Sequence, residues 1–296
     1  MKWRTVLLLV LTAAVVVALG WIFVVPGELK TLVHFSRWHD AHVRSSGYVA
    51  RGPAGTRIYW EEFGNADAPP VVVLHAGLTS IAFMGGQIEA LATDSYRVIA
   101  IDSRGHGKSS NTAPVPTYEM MTDDVVAVMD ARQIAKAHVV GWSDGGNIAL
   151  DLARRYPDRV RKVVAFGANR TPPPDGQDAD MTKQFKEAKA DAAMFFPLRY
   201  MYQKNSPTPD RWPEFFERER AMVFAGPHWS LAELGSIHAP LLLVNGEHDL
   251  VLLPYATAMK NAISGARLQI VKGEGHELPL ASPEKANLIM LTFLRQ

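Results

Sequence analysis

A serine at position 143 is boxed by glycines in the stretch Gly141-Trp142-Ser143-Asp144-Gly145. A serine hydroxyl is a poor nucleophile at neutral pH. It attacks a carbonyl only when a base takes its proton and an acid orients that base. One candidate for each follows later in the chain: Asp249 in "NGEHD" and His276 in "GEGH". Glu247 is an alternative acid, and His248 an alternative base. Attack on a carbonyl also needs N–H donors for the developing oxyanion. The backbone amides of Gly77, in "HAGLTS", and of Asp144 are the candidates.

The G-x-S-x-G pattern alone is weak. At average glycine and serine usage it arises by chance on the order of once in ten chains of this length. Its context decides. The pattern must fall between a buried strand and a helix, so that the hydroxyl stands clear on a tight corner. Residues 138–143, "HVVGWS", are apolar and β-branched, and helical spacing follows from 145 to 156. Gly77 follows the apolar run 71–75, Asp249 follows 240–247, and His276 follows 266–273. Four chemically apt residues thus sit at the ends of four predicted strands.

Further strands are expected at 56–63, 97–102 and 160–168. Helices are expected at 81–93, 117–131 (with Thr117 as its start signal), 255–263 and 282–294. Strands alternating with helices imply a mostly parallel sheet covered on both faces, with its site at the carboxyl ends of the strands. The rhythm breaks over 170–235, a stretch rich in Met, Phe, Tyr and Trp. It reads as a helical cap inserted over the strand ends. Trp142, Asp144, Phe195 and Phe196 are the candidates for contact with a substrate.

These features resemble the α/β-hydrolase superfamily over residues 48–296. The resemblance rests on "HAG", "DSRGHGKS", "GWSDGG", "NGEHD" and "GEGH". It implies an α/β fold with an eight-stranded sheet, and the order Ser143, Asp249, His276 is the one expected for it. Alanine at 76 departs from the more usual His-Gly. A serine nucleophile argues against the branches that attack with aspartate. "GWSDGG" looks like the elbow of valacyclovir-hydrolase-like esterases, where the aspartate meets a cationic group. The resemblance also suggests that His75 and His106 are structural, tying strand-end loops together, and Asp102 and Arg104 read as a turn pair.

The expected activity is hydrolysis of a small-molecule carboxylic ester or thioester through an acyl-enzyme, with no cofactor and no metal. The same residues would serve an amide, a lactone, a carbon–carbon bond or perhydrolysis. A non-catalytic ligand-binding receptor is the alternative of another class. The net charge of +1, with no long run of one sign, argues against a nucleic-acid partner. No cysteine is present, which excludes disulfides and thiolate chemistry. Oligomeric state is not legible.

Residues 6–25 form a charge-free apolar run behind Lys2 and Arg4. About 20 helical residues span a bilayer, and basic residues ahead of the run stay in the cytoplasm. Residues 1–25 are therefore expected to be a transmembrane signal-anchor, 26–47 a juxtamembrane linker and 48–296 a domain in the periplasm or outside the cell. The alternative is secretion after cleavage of a signal peptide.

Overall fold

The structure, a computed structural model, describes residues 27–52, 55–110 and 115–296. The expected anchor at 1–25 lies outside the described residues. Among the described residues, no helix is long and apolar enough to cross a membrane.

Eight strands form one sheet: β1 (Ser45–Arg51), β2 (Thr56–Gly64), β3 (Pro70–Leu74), β4 (Arg97–Ile101), β5 (Ala137–Trp142), β6 (Val160–Phe166), β7 (Leu241–His248) and β8 (Arg267–Gly275). Their order is β1-β2-β4-β3-β5-β6-β7-β8. Only the β1–β2 and β2–β4 pairings are antiparallel. The central strands lie between two layers of helices, so both their faces are apolar and they read as unbroken hydrophobic runs. Alternate residues feed two cores. Val72, Leu74, Val139 and Val163 face one, beneath the helices Tyr118–Ala131 and Asp144–Arg155. Val71, Val73, Val140 and Val164 face the other, beneath Gly85–Thr93 and Pro283–Leu294.

The chain leaves β3 towards β4 on one side and leaves β5 towards β6 on the other. Such a reversal opens a crevice at the carboxyl ends of the two strands. Between β6 and β7 the helices Ala179–Glu187, Phe196–Asn205 and Trp212–Ala225 supply the cap.

The stretch expected to be a linker is part of the folded body. Gly27–His42 is a helix, and β1 begins at Ser45. Phe35 is buried in the second core, and Trp38 stacks on Phe63 at 5.6 Å between ring centroids. Burying one such side chain contributes roughly 1.5–3 kcal/mol. That stabilisation anchors a helix whose other residues are mostly polar.

Candidate active site

Ser143 caps the helix Asp144–Arg155 with φ 55° and ψ −116°. A side chain rarely accepts that backbone, which costs on the order of 1–3 kcal/mol and persists only where the surroundings enforce it. Here they do. The Ser143 amide donates to the Phe166 carbonyl at 2.8 Å, and its carbonyl accepts from Asn147 N–H at 2.9 Å. The turn closes because glycines flank it. A Cβ on Gly141 would lie 2.1 Å from the Gly145 carbonyl oxygen, and one on Gly145 would lie 2.3 Å from that of Leu74.

The loops after β7 and β8 bring the other two residues to this corner. His276 Nε2 lies 3.0 Å from Ser143 Oγ, and His276 Nδ1 lies 2.7 Å from Asp249 Oδ1. Asp249 also accepts from the backbone amides of Val251 at 3.0 Å and Gly246 at 3.2 Å. Burial pushes its carboxyl up, but His276 and those amides outweigh burial and hold it below the usual carboxylate range. Burial likewise disfavours the His276 imidazolium, and the Asp249 carboxylate more than restores it, leaving that pKa raised. The alternatives from the sequence lie elsewhere. Glu247 accepts from Gly273 N–H at 2.9 Å, and the His248 side chain is exposed.

Gly77 and Asp144 stand together on the rim of the crevice, with Ser143 and His276, in the wall of a cavity of about 380 Å³. The cap encloses it with Phe185, Met194, Phe195 and Leu198. Gly77 lets the Asp144 carboxyl pack close, because a Cβ there would lie 2.4 Å from Oδ2 and displace it. The Asp144 carboxyl is buried in the cavity wall. It accepts a hydrogen bond from Tyr118 Oη at 2.6 Å. Burial, reinforced by nearby Glu219, pushes its pKa up to about 8.

Trp142 lines the cavity and also donates from Nε1 to the His276 carbonyl at 2.8 Å, fixing the loop that carries His276. Phe195 lines the cavity, but Phe196 does not. It is 57% exposed on the outer side of the cap, stacked on Tyr200. Successive side chains on a helical turn point about 100° apart, so Phe195 can face the cavity while Phe196 faces solvent.

His75 accepts from Ser103 N–H at 3.0 Å, and His106 from Leu78 N–H at 3.2 Å; both tie strand-end loops together. Asp102 and Arg104 are not a pair. Asp102 holds the amides of Ile81 and Lys108, while Arg104 pairs with Asp124. Among the described residues, no cluster of three or more His, Asp or Glu is placed to hold a metal ion. Tyr118 and Glu219 went unread in the sequence as residues of the site. Glu219 lies in the cavity wall, hidden in the charged run "ERER". The signal was its place on the buried stripe Trp212, Phe215, Phe216, Glu219, Met222.

This fold, with a serine corner at the switch point, defines the class of protein: the chain belongs to the α/β-hydrolase family. A model of the alpha/beta hydrolase fold matches residues 69–198. RutD of Caulobacter vibrioides (strain NA1000), whose name assigns it carbamate hydrolysis, is 46% identical over 250 residues. That alignment spans 76% of this chain and 90% of RutD. The human serine hydrolase BPHL is 26% identical over 285 residues, 90% of this chain and 94% of its own. Among solved structures, Est816, described as an N-acyl homoserine lactone degrading enzyme, superposes with a TM-score of 0.68 at 28% identity. It covers 83% of this chain and 100% of its own.

Proposed function

We propose that the protein is a serine hydrolase that cleaves a small-molecule carboxylic ester or thioester through an acyl-enzyme. The observation that carries this reading is the hydrogen-bonded chain from Ser143 to His276 to Asp249, at 3.0 and 2.7 Å. His276 Nε2 takes the Ser143 proton as Oγ bonds to the carbonyl carbon. The oxyanion is held by the N–H groups of Gly77 and Asp144. The imidazolium, steadied by Asp249, then gives its proton to the leaving alcohol or thiol as the bond to carbon breaks. Water, deprotonated by the same histidine, releases the acid. The aromatic and aliphatic cap wall suits an apolar acyl group. The buried, Tyr118-bonded state of Asp144 favours neutral acyl groups over α-amino ones.

A second reading, carbamate hydrolysis with the same three residues, is favoured by the 46% identity to RutD. The test is a panel of p-nitrophenyl compounds: neutral esters of increasing chain length, an α-amino ester and a carbamate, each run with Ser143→Ala as the control. Highest kcat/KM on neutral esters supports the leading reading, and highest on the carbamate supports the second. Hydrolysis undiminished in Ser143→Ala refutes both. Failure of Ser143 to react with a fluorophosphonate probe would instead favour a ligand-binding role.

From residues 1–25 we further propose that the chain is anchored by its N-terminus, with this domain outside the cytoplasm. Proteolysis of intact spheroplasts tests this. Digestion of a membrane-bound domain is expected, release of soluble domain would indicate cleavage, and protection would refute the orientation.

A further inference from the structure

The reaction above leaves one buried cluster unused. Glu219, on the cap helix Trp212–Ala225, lies in the cavity wall beside Asp144 and is 2% exposed. Its Oε1 and the Oδ2 of Asp144 are both buried, and neither receives a hydrogen bond among the described residues, although His106 Nε2 lies 3.3 Å from Oε1. A Cβ on Gly77 would lie 2.4 Å from Oδ2 and 2.9 Å from Oε1, so both oxygens converge on the backbone of one residue. The two carboxyls are therefore close neighbours.

Ionised carboxylate oxygens only accept hydrogen bonds. Two of them facing each other in a buried cluster are satisfied by one proton held between them. The remaining neighbours do not supply it. Tyr118, from the helix Tyr118–Ala131, already donates to Asp144 Oδ1. His106 Nε2 lies 3.3 Å from Glu219 Oε1, and against burial that carboxylate raises the His106 pKa, but here the Nε2 lone pair receives the Leu78 amide and Nδ1 faces the Arg104 carbonyl. His75 is held neutral by burial, its pKa pushed down to about 3. His276 faces Asp144 from across the cavity.

We propose that Asp144 and Glu219 share one proton, borne by Asp144, and that Glu219 is thereby a positioning residue that keeps the nucleophile elbow uncharged. The inference rests on the acyl-transfer reading above. In that reading Asp144 supplies an N–H to the oxyanion, and its carboxyl lies against the backbone of Gly77, the other proposed donor. When the proton leaves to solvent, the pair carries two negative charges and the second sits against the oxyanion site. Charge of the same sign opposes formation of the tetrahedral intermediate. Activity therefore falls as pH rises through the ionisation of the pair, and the cap sets where that happens.

Two substitutions move this alkaline limb in opposite directions. In Asp144→Asn nothing ionises, and the Asn amide donates to Glu219, so the limb moves up by about one pH unit or more. In Glu219→Gln the glutamine amide donates to Asp144 and the neighbouring charge is gone. Both effects favour the Asp144 carboxylate, so the limb moves down by about one unit or more. The double variant follows Asp144→Asn. The experiment is the pH profile of kcat/KM for the full-length protein on a neutral p-nitrophenyl ester. Each profile is normalised to its own plateau, with thermal unfolding at each pH to show that every variant is folded. A merely structural Glu219 would lower every point and move no limb, and that result overturns the proposal.

An infrared difference spectrum in the Ser143→Ala background supplies a readout free of activity. The C=O stretch of a neutral carboxylic acid is expected at neutral pH and is lost when Asp144→Asn or Glu219→Gln is added. Absence of that band refutes the shared proton. Hydrolysis undiminished in Ser143→Ala, with the band present, refutes the acyl-transfer reading and leaves the shared proton standing.

Discussion

Replacing Asp249 by asparagine keeps the shape of the side chain and removes its charge. The structure says how badly an amide fits. Two donors face Oδ1, His276 Nδ1–H and the Val251 amide. Two more face Oδ2, the Gly246 amide at 3.2 Å and Asn245 Nδ2 at 3.4 Å. An amide has one accepting oxygen. If it meets His276 and Val251, its NH₂ confronts two donors; an unmatched buried polar group costs about 1–3 kcal/mol. Turned round, the NH₂ confronts His276 and drives its proton to Nε2, the nitrogen that must accept from Ser143. The imidazolium also loses the carboxylate that stabilises it. Together these effects are expected to lower kcat by on the order of 10⁴, equivalent to about 5.5 kcal/mol, with KM little changed. The residual activity carries a second signature. Asp249 raises the His276 pKa, and the base is lost as pH falls through that raised value. Without the charge the pKa falls, so the acid limb of Asp249→Asn lies at lower pH than that of the wild type. Steady-state kinetics on a p-nitrophenyl ester across the pH range measures both quantities. Glu247→Gln is the control and is expected to change kcat by no more than about twofold, as for an exposed side chain. An Asp249→Asn variant within about tenfold of wild type would refute the assignment, as would a collapse in Glu247→Gln instead.

Gly145→Ala drives a Cβ to 2.3 Å from the Leu74 carbonyl oxygen, which is backbone and cannot yield. Overpacking of this kind is expected to cost about 1–3 kcal/mol, read as a lower urea midpoint, together with a loss of kcat because Ser143 rides on the same turn. Phe35→Ala removes a side chain that is 3% exposed and is expected to cost about 3–5 kcal/mol in urea unfolding while leaving KM unchanged. Phe195→Ala is expected to raise KM for longer acyl chains, whereas Phe196→Ala, at an outward-facing position, should not; equal effects on a chain-length series would contradict the placement.

The sequence made the central sheet legible because its strands are buried on both faces. Val71–Leu74 and Ala137–Trp142 can only read as unbroken apolar runs. The serine corner was legible because glycine is the one residue that lets helix and strand meet so closely. The first helix and β1 were not. Gly27–His42 docks through a few aromatic residues in a polar stretch, and Ser45–Arg51 is a half-buried edge strand with small and polar residues. Neither carries the periodicity that burial imposes elsewhere. Glu219 escaped because a carboxylate among charges looks solvated until the helix phase is known. Phe196 was misplaced for a related reason. An aromatic pair signals burial of one member, and only the turn geometry tells which.

The cap enters after Phe166 and returns before Leu241, on strands that pair directly, with Phe166 opposite Val244. Those strands are parallel, so the connection leaves at the carboxyl end of β6 and must cross to the amino end of β7, and the cap is extra length within that crossover. Closing a longer connection of this kind costs only about 0.6 kcal/mol per doubling of length. The cap is thus a replaceable module, and exchanging it would hardly tax the sheet. It carries both the apolar wall of the cavity and Glu219. A lineage that swapped caps to gain a new substrate would change, in the same event, the acidity at which the enzyme works.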